Sequence, residues 1–123
     1  MQYMLLIYMG DSADSGEPSA GTSEFEQHVQ DYKALSQEVK DKGIMLGADP
    51  LEPVTTASTV RVRNGKTEIT DGPFAETKET LGGYYLLDCH DLDEAIEYAA
   101  RIPTAKYGSI EIRPIMPTPF ELA

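Results

Sequence analysis

Cysteine is almost absent: Cys89 is the single one in 123 residues. No internal disulfide can form, so the chain is not a disulfide-stapled secreted domain. No CxxC pair or Cys/His cluster offers the spacing of structural zinc, which leaves Cys89 as an expected half-buried packing thiol. Basic residues are scarce as well. Ten Lys plus Arg stand against 21 Asp plus Glu, a net charge of −11. Such a field repels phosphate backbones and anionic lipid surfaces, so neither nucleic acid nor membrane is an expected partner. Long apolar runs are missing too: MLLIYM at 4–9 falls far short of the roughly 20 residues of a membrane span, and no basic segment precedes it as in a targeting signal. The expectation is a cytoplasmic protein. A GxSxG nucleophile motif, a glycine-rich phosphate loop and metal-ligand spacing are also lacking. Any chemistry should therefore be proton transfer without metal or organic cofactor.

What is present is the material of one domain over residues 1–123, with 41% hydrophobic and 25% charged residues. Residues 2–9 read as a central strand buried on both faces. The polar stretch 10–22, GDSADSGEPSAGT, reads as a surface loop or as a flap over a pocket. A helix follows, with Ser23 as N-cap and Glu26 closing a capping box; Phe25, Val29, Tyr32, Leu35 and Val39 form its apolar stripe, and Gly43 ends it. A short strand at 44–47 leads to a turn at Ala48-Asp49-Pro50, where the proline should stop pairing. Residues 59–63 and 66–70 form a hairpin through Asn64-Gly65, with Arg61 opposite Glu68 and Arg63 beside Lys66. Residues 83–89 read as another central strand. A second helix is capped by Asp91 and Glu94, presents Leu92, Ala95, Ile96 and Ala99, and stops at Pro103. Strict alternation over 109–113 marks a half-buried last strand before a proline-punctuated tail, 114–119.

The order β, α, β, hairpin, β, α, β predicts a ferredoxin-like α+β fold: one antiparallel sheet with two helices on one face, plus an extra β-hairpin. The other sheet face has no helix to cover it. Apolar side chains from strands such as those holding Leu5, Ile7, Tyr84 and Leu86 need a second cover, and sheet-to-sheet homodimerisation is the simplest supply.

The densest run of ionisable groups is DGPFAETKE at 71–79. One reading is a solvated turn in which Phe74 plugs the core; the other projects Asp71 or Glu76 into a cleft, where partial desolvation raises a carboxyl's pKa and makes it a usable proton acceptor. Arg61 and Arg63 share a strand face and either clamp a carboxylate or stay solvated. His28 and Tyr32 are spaced i and i+4, so both point to one side of the first helix. Each has a structural alternative, His28 at the border of the apolar stripe and Tyr32 within it. His90 reads as part of a solvated corner.

The run DGPFAETKE, followed by LGGYYL at 81–86, resembles the signature of the DGPF family of the YCII-related superfamily. The resemblance extends to YMLLIY at 3–8, TVRVR at 59–63 with Gly65-Lys66, DLDEA at 91–95 and GSIEIRP at 108–114. It implies a dimeric α/β-barrel built from ferredoxin-like protomers, a largely undetermined activity, and for some members a regulatory link to extracytoplasmic-function sigma factors. It also implies a catalytic histidine on the first helix and an aspartate. Here Tyr32 occupies the position matching that histidine, and His28 lies one turn earlier. Two expectations follow. In one, the protein is a cofactor-independent enzyme with His28 and Asp71 catalytic, and Tyr32, Phe74, Glu76 and Arg61 binding the ligand in a cleft between helix one and the DGPF loop. In the other, the same cleft belongs to a non-catalytic module that binds a ligand or protein and is linked to sigma-factor regulation.

Overall fold

Strand β1, Gln2–Gly10, buries Tyr3, Leu5 and Ile7 and leaves Met4, Leu6 and Tyr8 half-buried. Period-two alternation thus sorts an almost wholly apolar strand into a covered and an uncovered face. The expected burial on both faces is corrected, because both helices pack against the same side. The computed structural model describes residues 1–10 and 16–117. Positions 11–15 of the candidate flap and 118–119 of the tail lie outside the described residues.

The remaining elements are α1 (Ser23–Asp41), β2 (Met45–Pro50), β3 (Ser58–Arg63), β4 (Lys66–Asp71), β5 (Glu79–Asp88), α2 (Leu92–Arg101) and β6 (Ser109–Pro114). Four strands form an open sheet in the order β2-β5-β1-β6, every pair antiparallel. This is the two-helix, antiparallel α+β arrangement that the element order predicts. β2 runs on through Pro50 instead of turning at Ala48, since it is an edge strand where a residue without an N–H is tolerated. Gly83 makes this pairing possible: a Cβ there would lie 3.0 Å from the Asp49 carbonyl oxygen.

The cap of α1 is Thr22, not Ser23. Thr22 keeps extended backbone, and its hydroxyl accepts the Phe25 N–H at 3.1 Å, so the first turn already includes Ser23. Gly43 closes the helix with φ of 71°, the left-handed conformation glycine adopts without strain. At α2 the Asp91 carboxylate accepts the Glu94 N–H at 2.9 Å, and Glu94 reaches back to the His90 N–H at 3.1 Å. His90 is exposed there, as expected of a corner. The buried arc of α2 is Ala95, Tyr98 and Ala99, continued by Ile102. Leu92 and Ile96 are both 48% exposed, which corrects the predicted stripe: the two alanines let the helix sit close to the sheet and Tyr98 fills the flank.

Leu5, Val39, Leu87, Cys89 and Ile102 make the centre of the core. Cys89 is fully buried rather than half-buried, and loss of water lifts its thiol to about 11, with Glu94 and Asp88 adding to the shift. It is a packing group.

An ion cluster ties the helices together on their outer side. Arg101 donates to both Glu38 oxygens, at 2.6 and 2.8 Å, and Lys42 donates to Glu38 at 3.2 Å. The Arg101 bonds, helped by Lys42, lower the Glu38 carboxyl from 4.5 to about 2. A depressed carboxyl contributes stability above its unfolded pKa and loses it as pH falls through the folded one. The thermal midpoints of wild type and Glu38→Gln should therefore differ above pH 4.5 and converge between pH 4.5 and 2. A constant gap across a pH series of melting curves would deny the cluster this role.

β3 and β4 form their own two-stranded sheet, joined by Asn64 at φ 52° and Gly65 at φ 74°. The positive angles match the turn that Asn-Gly favours. The register is the expected one, Arg61 opposite Glu68 and Arg63 opposite Lys66.

Candidate functional site

Along α1 the polar residues His28, Tyr32, Ser36 and Lys40 recur every four positions, so they form one stripe on the helix. All four line a cavity of about 770 Å³ between α1 and the β1, β2 and β5 side of the sheet. The opposite wall is apolar and aromatic, with Ile7, Met9, Met45, Ala48 and Tyr85. This volume lies within the roughly 300–1,000 Å³ that small-molecule sites occupy, and a few polar groups set in an apolar lining is their usual chemistry.

Two hydroxyl pairs are built into the cavity. Tyr32 Oη lies 2.5 Å from Thr104 Oγ1, contributed by the short 3-10 helix Pro103–Lys106, and Ser36 Oγ lies 2.6 Å from Tyr85 Oη. In each pair one hydroxyl hydrogen is used internally, and the second is available to an acceptor outside the pair. Burial raises the Tyr32 phenol above its ordinary value, against the opposing Thr104 hydrogen bond, and raises Tyr85 against that from Ser36. Both phenols remain protonated hydrogen-bond donors at neutral pH.

The half-buried His28 ring stands edge-on to Tyr32, centroids 5.2 Å apart at 70°, and tilted against Tyr107 at 6.1 Å. Aromatic edges thus fix the imidazole plane. On the uncovered side of the sheet Tyr84 donates to Asp49 Oδ2 at 2.6 Å, a bond that raises the Tyr84 phenol. Lys33 and Lys40 bring positive charge to the lining.

The structure brings His28 and Tyr32 together and leaves the other predicted site residues elsewhere. Arg61 lies on β3 and Asp71 ends β4, both exposed; Glu76 is exposed in the connection to β5, and Phe74 is 77% exposed. None of these four lines the cavity. The cavity lies between helix one and the sheet rather than between helix one and the DGPF loop, because the hairpin forms a separate sheet. Phe74 does not plug the core. Ser36 and Lys40 carry the helical stripe onward and were readable by the same spacing as His28 and Tyr32. Thr104 and Tyr85 were not, since their pairing with α1 depends on tertiary packing. Among the described residues no group of three or more His, Cys, Asp and Glu could hold a metal ion, and no helix is long and apolar enough to cross a membrane.

Comparison with known proteins adds three findings. The YCII-related domain model matches residues 1–119. The chain is 38% identical over 117 residues to an uncharacterized protein of Rhizobium meliloti (strain 1021), covering 94% of this chain and 92% of that one. Among solved structures it is similar to 5-chloro-2-hydroxyhydroquinone dehydrochlorinase (TftG) from Burkholderia phenoliruptrix AC1100 in complex with 2,5-dihydroxybenzoquinone, at 11% identity, 94% coverage of both chains and a TM-score of 0.47.

Proposed function

We propose that this chain, which belongs to the YCII-related family, binds a small organic molecule in the cavity under α1 and transfers a proton there, with His28 as the proton acceptor. The observation that carries this reading is the stripe His28, Tyr32, Ser36 and Lys40 facing an apolar wall across about 770 Å³. An imidazole held by Tyr32 and Tyr107 accepts a proton from an acidic C–H or O–H of the ligand. The Tyr32/Thr104 and Ser36/Tyr85 pairs each offer a hydrogen to the ligand oxygen on which negative charge develops. Lys33 and Lys40 favour an anionic ligand. The chemistry needs no metal or organic cofactor.

The run DGPFAETKE at 71–79 supports placing the chain in the DGPF branch of the family. The uncovered side of the sheet, with Met4, Leu6, Tyr8, Tyr84 and Leu86 half-buried, supports a homodimer joined through that face. A single, fully buried thiol fits a cytoplasmic location. A non-catalytic binding module is the second reading, favoured by the apolar side chains exposed on the β3–β4 hairpin.

A thermal-shift panel of organic acids, lactones and quinones tests ligand binding. A ligand that binds only the folded state raises the midpoint with its concentration. The expected hit raises it for wild type and by clearly less for Tyr32→Phe. A hit that stabilises the two equally would remove the Tyr32/Thr104 pair from the site.

A further inference from the structure

The cavity under α1 is electrically lopsided. Lys33 and Lys40 line it, and among the described residues neither forms an ion pair, although the chain carries 21 Asp plus Glu against ten Lys plus Arg. No lining carboxylate answers them. Asp49 is the one acidic residue of the lining, and Tyr84 holds its carboxylate on the uncovered side of the sheet. The acids that follow on α1 are engaged elsewhere: Glu38 is bound by Arg101 and Lys42, and Asp41 accepts the Gln37 amide at 2.7 Å. Two unpaired ammonium groups thus stand at the edge of an apolar space. Such an edge holds one anionic group in water while the rest of the ligand is buried.

The opposite end carries the other sign. His28 begins the stripe, and twelve residues at about 1.5 Å each put Lys40 about 18 Å further along the helix axis. The first turn of α1 holds Glu24 and Glu26, and its last turn holds Lys40. The segment before the helix adds Glu17, which is half-buried. Two anchors fix that segment. A Cβ on Gly16 would lie 3.7 Å from Cδ1 of Tyr107, the ring tilted against His28, and the Ser19 carbonyl accepts from Thr22 Oγ1 at 2.7 Å. After burial and the Tyr85 phenol, the Glu17 charge is a further influence that raises the Tyr32 phenol, so it is felt inside the cavity. From this polarity we infer that the ligand is an elongated apolar monocarboxylate: its carboxylate lies at Lys33 and Lys40, its uncharged end at His28 and Tyr32, and Glu17 excludes a second anionic group from that end. The inference rests on the proton-transfer reading and names its substrate class. An uncharged end suits a general base, since the C–H or O–H proton must still be present when it meets the imidazole.

Three probes of one length test this class on the full chain: octanoate, the uncharged octanamide and the doubly charged octanedioate. Each is titrated while backbone amide shifts are followed at cavity residues such as Val29, Ser36 and Ala48, which give the site and the dissociation constant together. Wild type should bind octanoate at least about 5-fold more tightly than either of the others. Lys33→Gln/Lys40→Gln should weaken octanoate about 5-fold and leave octanamide unchanged. Glu17→Gln should tighten octanedioate about 5-fold and leave octanoate unchanged, a selectivity that a merely structural role for Glu17 would not produce. Equal binding of octanoate and octanamide in the cavity would overturn the carboxylate class and leave cavity binding standing. Octanedioate bound as tightly as octanoate by wild type, or unaffected by Glu17→Gln, would overturn the role of Glu17. No cavity shifts with any of the three would overturn the inference as a whole, and a hit of another class in the thermal-shift panel would then keep the proton-transfer reading.

Discussion

Replacing Gly108 with alanine is expected to destabilise the protein by about 3 kcal/mol, read as a lower urea midpoint with unchanged slope. Gly108 lies between the 3-10 helix Pro103–Lys106 and β6, and its N–H donates to the Thr104 carbonyl at 2.8 Å. A Cβ at this position would collide with the Tyr8 carbonyl oxygen and lie 3.2 Å from Met9 Cα. Both obstacles are backbone of β1, the central strand, so relief requires β6 to move away from it. Gly82 supplies the contrast. Its added Cβ would meet the Cε and Sδ of Met9, the far end of a flexible side chain, and Gly82→Ala should cost under about 1 kcal/mol. Equal midpoints for Gly108→Ala and wild type would show that the β1–β6 approach is looser than described. The effect also reaches the cavity, because the segment that Gly108 fixes carries Thr104, the partner of Tyr32.

The second large effect is functional. His28→Ala should reduce turnover of the cavity's substrate by on the order of 10²-fold or more while leaving much of the ligand affinity, since a general base acts on the step rather than on ground-state binding. Its fold stability should change by less than about 1 kcal/mol, because the ring is half-buried and makes edge contacts with Tyr32 and Tyr107. Tyr32→Phe should show the reverse pattern. It deprives the 1% exposed Thr104 hydroxyl of its side-chain partner and costs about 1–2 kcal/mol of stability, together with ligand affinity. Steady-state kinetics and chemical denaturation of both variants separate the roles. Full turnover in His28→Ala would remove the proposed base.

Local physics made much of this fold legible. Asn64-Gly65 specified its turn and with it the pairing of Arg61 with Glu68, and Asp91 with Glu94 specified the start of α2. The errors fall where tertiary packing decides. Leu92 and Ile96 look like core by residue type, yet the smaller Ala95 and Ala99 face the sheet because they allow close approach. Thr22 and Ser23 have similar capping chemistry, and backbone angles chose between them. Half of the candidate site followed from helical spacing, which put His28 and Tyr32 on one side and extends to Ser36 and Lys40. The other half consists of Tyr85 and Thr104, which reach the cavity through strand register and the close packing at Gly83 and Gly108. No spacing in the chain announces these contacts. The run at 71–79 drew Asp71, Phe74 and Glu76 toward the site through its chemical density, but its placement beside a separate sheet keeps it out of the cavity.

The most direct test of the central claim, that the cavity under α1 holds the ligand, is a map of backbone amide chemical shifts during titration with the strongest thermal-shift hit. The account predicts shifts concentrated at Val29, Tyr32, Lys33 and Ser36 on α1 and at Met45, Ala48 and Gly83 across the cavity. Shifts confined to the hairpin and its 71–79 connection, with the α1 face unchanged, would contradict it.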